Sequence, residues 1–284
     1  MRRVAIGSCL LAALSGSPSA SDGLATTATP FRLGEHHEPI IAVRVNGAGP
    51  FPFILDTGST HSSIATELAR ALGVPAVART TVTSSLGQHV QPVVNLESLQ
   101  VGPAITTNVL ATEVADEELG NKRDVRGVLG QDVLSSLVYT IDFAARRVEW
   151  NPETGAQSPR GPTLTLRSAR GRFLAELPQA ESTLWLVPDS GAETLVLYER
   201  TQRQLPLLVR NRGVAWLSTL SDRQAVEAVQ VSRLLVGNAN LTDVPAVLVK
   251  RSDGDASLGD GLLPLAMFKR VTFDGPGGRL ILER

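Results

Sequence analysis

Two stretches 133 residues apart repeat one pattern: an apolar run closing on an aspartate, then a hydroxyl residue and a glycine. The first reads Phe53-Ile54-Leu55-Asp56-Thr57-Gly58-Ser59-Thr60, the second Pro188-Asp189-Ser190-Gly191-Ala192. Three further landmarks keep the same order. Val94 to Gly102 matches Val229 to Gly237 at an offset of 135. Gly127-Val128-Leu129-Gly130 matches Gly261-Leu262-Leu263-Pro264 at 134, and Asp142 matches Asp274 at 132. One Asp-Thr/Ser-Gly is a common turn. Four collinear matches at nearly constant spacing are the mark of a duplicated unit. The chain is thereby restricted to folds made of two similar halves, each carrying an acidic turn at the same place.

Each half reads as mostly β. The apolar-rich residues 40–45 precede a Gly/Pro turn at 46–50, then a strand-length run at 51–55 that ends on Asp56. Residues 94–101 alternate apolar and polar, as a half-buried strand does. Residues 143–150 and 279–283 read as closing strands, the second after the hairpin signal Gly275-Pro276-Gly277-Gly278. Short helices are expected at 64–72 and 131–137. The expected fold is therefore mainly β and bilobal, two homologous β-barrel-like lobes with few short helices. Residues 31–150 form the N-terminal lobe and 163–284 the C-terminal lobe. Residues 151–162, polar and rich in Pro and Gly, form the connection.

Two carboxylates brought to one cleft resist double ionisation, and a pair sharing one proton is suited to activating water. With these residues laid out, the chain resembles the pepsin-like and retroviral-type aspartic proteases. The best match is to exported bacterial retropepsin-like members with two lobes in one chain. The resemblance covers roughly residues 31–284. It implies a cleft between the lobes with Asp56 and Asp189 as catalytic residues, supported by Thr57, Gly58, Ser59, Ser190 and Gly191. Thr57 and Ser190 would form the family's cross-lobe hydrogen-bond pair. The glycines suit a turn where a side chain would crowd the partner carboxylate. Flap candidates lie at 83–89 and 217–224, with Gly87 and Thr219 at their tips. Neither segment holds tyrosine, since Tyr139 and Tyr198 are the only two in the chain.

The second half departs from the first in three places. Pro188 stands where Leu55 does, which requires a strand edge or bulge there. Ala192 replaces Ser59, as in retroviral enzymes, and Pro264 replaces Gly130. The Ser59 hydroxyl can donate to Asp56, whereas Ala192 offers Asp189 none. Donation favours the charged form, so Asp56 is the expected ionised partner and Asp189 the protonated one.

Other chemistries find little support. A formal net charge of −1 and 4% aromatic residues argue against a nucleic-acid partner. His36-His37 lacks the spacing of a zinc helix, Asp253-Gly254-Asp255 lacks a calcium loop's remaining ligands, and no metal or other cofactor is expected. The chain has no Gly-x-Ser-x-Gly elbow and no phosphate-binding glycine loop.

Residues 1–20 carry Arg2 and Arg3, a short apolar run and a small-residue end, the order of an export signal. Cys9, the single cysteine, lies within it. Residues 21–30 form a short N-terminal segment. The expected mature protein is periplasmic or secreted and has no disulfide. It is a monomer without stable membrane insertion once the signal is cleaved, and it acts on polypeptides. The alternative reading is a peptide- or protein-binding module of the same bilobal fold without turnover; an adaptor made of structural β lobes is a third.

Overall fold

The computed structural model describes residues 27–84, 88–119, 124–151, 161–204, 209–219, 223–250 and 259–284. The export segment with Cys9, the flap tip Gly87, most of the 151–162 connection and Asp253-Gly254-Asp255 lie outside the described residues. The fold is mainly β with few short helices, as the sequence pattern requires. Among the described residues no helix is long and apolar enough to cross a membrane.

The two halves build the same pattern. In the N-lobe, Pro39–Val45 and Ala48–Leu55 form a hairpin around Asn46-Gly47. Ala48–Leu55 then runs parallel to Gly127–Leu129, with Leu55 opposite Leu129. In the C-lobe, Arg172–Pro178 and Thr183–Asp189 form the hairpin, and Thr183–Asp189 runs parallel to Gly261–Pro264, with Pro188 opposite Leu263. Both catalytic-candidate aspartates thus emerge at the end of a strand that has just lost its antiparallel neighbour: Ile54 is the last N-lobe residue paired on that side and Leu186 the last in the C-lobe.

The long hairpins also match. Ala76–Thr83 pairs with Gln88–Val101, closing at Thr83 opposite Gln88. Val209–Ser218 pairs with Arg223–Val236, closing at Ser218 opposite Arg223. The two closures differ by a constant 135 positions, so both lobes carry a hairpin with a tip of equal length. The flap candidate Thr219 lies just past Ser218, where the C-lobe hairpin closes.

The lobes are joined by a shared sheet. Val138–Asp142 pairs antiparallel with Arg270–Asp274, Thr140 opposite Thr272, and the two hydroxyls are hydrogen-bonded at 2.7 Å. Tyr139 stacks on Phe273 at 5.0 Å beside this axis. Thr27–Leu33 crosses the boundary placed at residue 31 and pairs with both Arg147–Trp150 and Pro39–Val45. One main core runs through both lobes; Val196, Tyr198, Val226, Val247 and Val249 form a smaller one under the C-lobe hairpin.

Three local expectations need correction. Residues 64 and 65 are not helical: Ser63–Ala65 is a strand bonded to Gly127–Leu129 and Ala104–Val114, and the helix is Thr66–Ala71. Tertiary pairing overrides the helical pattern there. The second helix covers only Gln131–Leu134. The N-lobe closing strand starts at Arg147, because residues 143–146 turn, with Arg146 at φ 53°.

Candidate active site

The two Asp turns meet face to face between the lobes. Thr57 Oγ1 donates to the Pro188 carbonyl at 2.8 Å and accepts from the Ser190 amide at 3.0 Å. Ser190 Oγ donates to the Leu55 carbonyl at 2.7 Å and accepts from the Thr57 amide at 3.0 Å. Both hydroxyls are buried. Each therefore satisfies two backbone groups of the opposite turn, and all four bonds cross the lobe boundary. This is the cross-lobe pair that the resemblance implied for Thr57 and Ser190.

That arrangement explains why proline is tolerated beside Asp189. In the parallel pairing, the Asp56 amide donates to the Leu129 carbonyl at 3.0 Å. Alternate residues of a strand address the same neighbour, so the position before the aspartate points its polar groups the other way. On that side the antiparallel pairing has stopped, and the carbonyl receives the partner lobe's hydroxyl. Pro188 lacks an amide only where the ladder asks for none. The strand-edge expectation fits this geometry.

Each carboxyl is held by its own turn. Asp56 Oδ1 accepts from the amides of Gly58 (2.9 Å) and Ser59 (3.2 Å), and Oδ2 from the Ser59 hydroxyl (2.8 Å). Asp189 Oδ1 accepts from the amides of Gly191 (2.7 Å) and Ala192 (3.1 Å). Asp56 lies beside Asp189, close enough for both its charge and its side chain to favour the protonated form of Asp189. Burial first, then the Asp56 charge, pushes Asp189 up to about 8, against the opposing pull of the Gly191 and Ala192 amides. A carboxyl so placed keeps its proton at neutral pH.

The glycines differ in how tightly they are pressed. A Cβ on Gly58 would come within 2.6 Å of Asp189 Cγ, so the Asp189 carboxyl would have to shift. A Cβ on Gly191 would stand 3.5 Å from Asp56 Cγ, an ordinary contact. The crowding argument for glycine therefore holds fully for Gly58 and only loosely for Gly191.

Sequence reasoning missed the support behind the Asp56 turn. Buried Gln131 donates from Nε2 to the Thr57 carbonyl at 2.8 Å, and its amide donates to the Ser59 carbonyl at 2.9 Å. Ser62 Oγ accepts from the Gly130 amide (3.1 Å) and donates to Asp132 Oδ1 (2.8 Å). The signal was present: Gln131 and Asp132 directly follow the Gly127-Val128-Leu129-Gly130 landmark. Among the described residues no three His, Cys, Asp or Glu side chains gather as a metal cage requires.

The aspartyl protease family model matches two stretches, residues 41–133 and 179–264, one around each Asp turn. Among solved structures the chain is similar to basic 7S globulin from soybean, at 9% identity and a TM-score of 0.51, covering 91% of this chain and 94% of that one. That likeness is one of fold. A retropepsin-like aspartic protease from Rickettsia conorii also matches, at 17% identity and a TM-score of 0.33, over 44% of this chain and 90% of that one. A search of curated proteins returned no match.

Proposed function

This chain belongs to the aspartyl protease family, and from that premise we propose that it is an aspartic endopeptidase using Asp56 and Asp189 as one catalytic pair. The observation that carries this reading is the meeting of the two Asp turns across the lobe boundary, held by Thr57 and Ser190, with Asp189 buried and pushed up to about 8 by burial and by the neighbouring Asp56.

In this reading Asp56 is the base and Asp189 the acid. A water between them attacks the peptide carbonyl carbon and gives one proton to the Asp56 carboxylate. The Asp189 proton passes to the carbonyl oxygen, leaving a tetrahedral diol. On collapse, a diol hydroxyl returns a proton to Asp189, the proton on Asp56 goes to the amide nitrogen, and the C–N bond breaks. The pair ends as it began, one proton between two groups, so its titration belongs to both together. The Thr57–Ser190 bonds serve positioning, since small displacements of reacting groups cost rate steeply.

We also propose export on the strength of residues 1–20, a monomeric state because one chain supplies both aspartates, and polypeptides as partners. The class test is incubation of purified protein with a mixed peptide library between about pH 3 and pH 7, bracketing the ordinary carboxylate range, with and without a statine-type inhibitor. Cleavage that the inhibitor blocks is expected. Peptide binding without cleavage would instead establish the binding module.

A further inference from the structure

Pro39–Val45 and Arg172–Pro178 correspond in the repeat at an offset of 133. The turns that enter them differ. In the C-lobe, Thr163–Ala169 pairs with Arg172–Pro178 and Ala169 stands opposite Arg172, so residues 170–171 make the turn. In the N-lobe, Leu33 stands opposite Pro39, and the turn takes residues 34–38. It is three residues longer, and it presents Glu35, His36 and His37 as exposed side chains.

The longer turn is firmly built. The Gly34 amide donates to the Glu38 carbonyl at 2.8 Å, and the His36 amide donates to Glu38 Oε2 at 2.8 Å. Glu38 is buried beneath the turn, where a Cβ on Gly34 would overlap its carboxyl. His37 lies at φ 61°, a region that side-chain-bearing residues visit seldom and that gathers at functional sites. Adjacent side chains point apart in an extended strand. Here the chain turns at His37, and both rings reach one acceptor: Glu193 Oε1 is 3.3 Å from His37 Nδ1 and 3.7 Å from His36 Nδ1. Glu193 belongs to the C-lobe, so the contact bridges the lobes.

Glu193 directly follows Ala192, whose amide holds Asp189 Oδ1 at 3.1 Å. It precedes Thr194, whose hydroxyl donates to the Pro245 carbonyl at 3.3 Å. The repeat supplies a control: the counterpart of Glu193 is Thr60, which is bonded to the neighbouring His61 Nδ1 at 2.8 Å. The Asp56 turn thus ends on a local bond, and the Asp189 turn on a cross-lobe bridge of titratable groups. We propose that His36, His37 and Glu193 are positioning residues that steady the Asp189 turn in mildly acid solution and release it near neutrality. The inference rests on the protease reading above. As side-chain types, carboxyls ionise near about pH 4 and imidazoles discharge near about pH 6.5. Between those limits the bridge joins opposite charges; above them the rings are neutral, and below them the carboxylate is. Three acids lie around the rings: Glu35, exposed on the same turn, Glu38, engaged beneath it, and Glu193 from the Asp189 turn. Only Glu193 ties the turn to the other lobe.

The test measures kcat and KM on one peptide that the wild type cleaves, and urea unfolding, at about pH 5.5 and about pH 7.5, on either side of the ordinary imidazole value. The proteins are wild type, Glu193→Gln, the double variant His36→Gln/His37→Gln, the triple combination and His37→Arg. In acid the wild-type kcat should exceed that of Glu193→Gln about threefold, the scale of a solvent-exposed ion pair, with KM alike. The ratio should shrink towards one at the higher pH. His37→Arg keeps its charge at both and should keep the advantage at both. The unfolding constants of the cycle should be non-additive by a similar factor in acid and additive near neutrality. Additive unfolding in acid overturns the bridge. Non-additive unfolding with a kcat ratio that does not change with pH overturns the positioning role and leaves the protease reading intact. Absence of cleavage overturns the protease reading and the positioning role with it, while the unfolding cycle still decides the bridge.

Discussion

Around Asp56 the turn leans on polar partners: Gln131 on the Thr57 carbonyl, and Ser62 between the Gly130 amide and Asp132. Around Asp189 the repeat-related positions are Leu195, Pro264, Leu265 and Ala266, in place of Ser62, Gly130, Gln131 and Asp132. Leu195 and Leu265 are buried. The polar set has been exchanged as a block. Proline at 264 removes the amide that Ser62 would have received, and leucine at 195 removes the hydroxyl. Deleting both partners of a buried hydrogen bond is nearly neutral, whereas deleting one leaves an unpaired group. Repeats can thus diverge a long way around a shared site, provided that matched groups are lost together. What the two turns still share is the pair of carboxyls and the Thr57–Ser190 bonds, the parts that neither lobe can change alone.

The largest expected effect comes from the shared part. Asp56→Asn and Asp189→Asn should each lower kcat/KM by about 10³-fold, the scale of general acid–base catalysis, with the circular dichroism spectrum unchanged. Substantial activity in either variant would mean that the turns are not functional equals. Next come Thr57→Ala and Ser190→Ala. Each strands one backbone carbonyl and one backbone amide of the turns, for a loss of about 2–4 kcal/mol in urea unfolding. Equal losses are expected, since the bonds are reciprocal. Thr57→Ser, which keeps the hydroxyl, should lose far less.

The repeat made the fold and the acidic pair legible before any coordinates. Asp56, Asp189, Thr57 and Ser190 could be read because a duplicated turn at constant spacing must be used twice. The departures were legible as letters only. Pro188 stood out, but its harmlessness depends on which way a strand's amides point, and no periodicity records that. Pro264 was readable as a lost glycine; that Leu195 had also given up the Ser62 hydroxyl required knowing that the two positions touch. Ile64 and Ala65 carried a helical pattern and were claimed by strand pairing. A cavity of about 180 Å³ lined by Thr60, Gln131, Ser168 and Phe173 could not be read at all, because its walls come from separate segments that no local periodicity links.

A subtler contrast lies in the hydroxyl bond that Asp56 receives from Ser59, where Ala192 offers Asp189 none. For a carboxyl pushed up to about 8, the folded pKa exceeds the unfolded value of about 3.9. The native state therefore binds the proton more tightly. Its stabilising contribution is complete below about pH 4 and is lost as pH rises towards about 8, since the unfolded chain holds fewer protons in that window. Thermal stability should decline across this range, and the alkaline limb of kcat/KM should follow the pair. Ala192→Ser adds a donor to Asp189 in imitation of Ser59. Because donation favours the charged form, the limb should move down by roughly 0.5–1 pH unit, the equivalent of one modest hydrogen bond. An upward shift would mean that the added hydroxyl stabilises the protonated form instead.

The smallest effect separates the two glycine-position residues. Gly130→Ala places a Cβ 2.6 Å from the His61 carbonyl carbon, a backbone atom that cannot swing aside. Overpacking of that kind costs about 1–3 kcal/mol, and it presses on the backbone just beyond the Asp56 turn, so kcat/KM should fall as well. Pro264→Gly gives the C-lobe the residue that the N-lobe carries at Gly130. There the regained amide meets no serine hydroxyl, because Leu195 stands in that place, and the freed backbone adds entropy to the unfolded chain. The loss should be within about 1 kcal/mol, with kcat/KM unaltered. A gain in stability on restoring glycine would show that Pro264 strains the C-lobe and that the block exchange is incomplete. A loss equal to that of Gly130→Ala would show that proline has become as necessary to its turn as glycine is to the other.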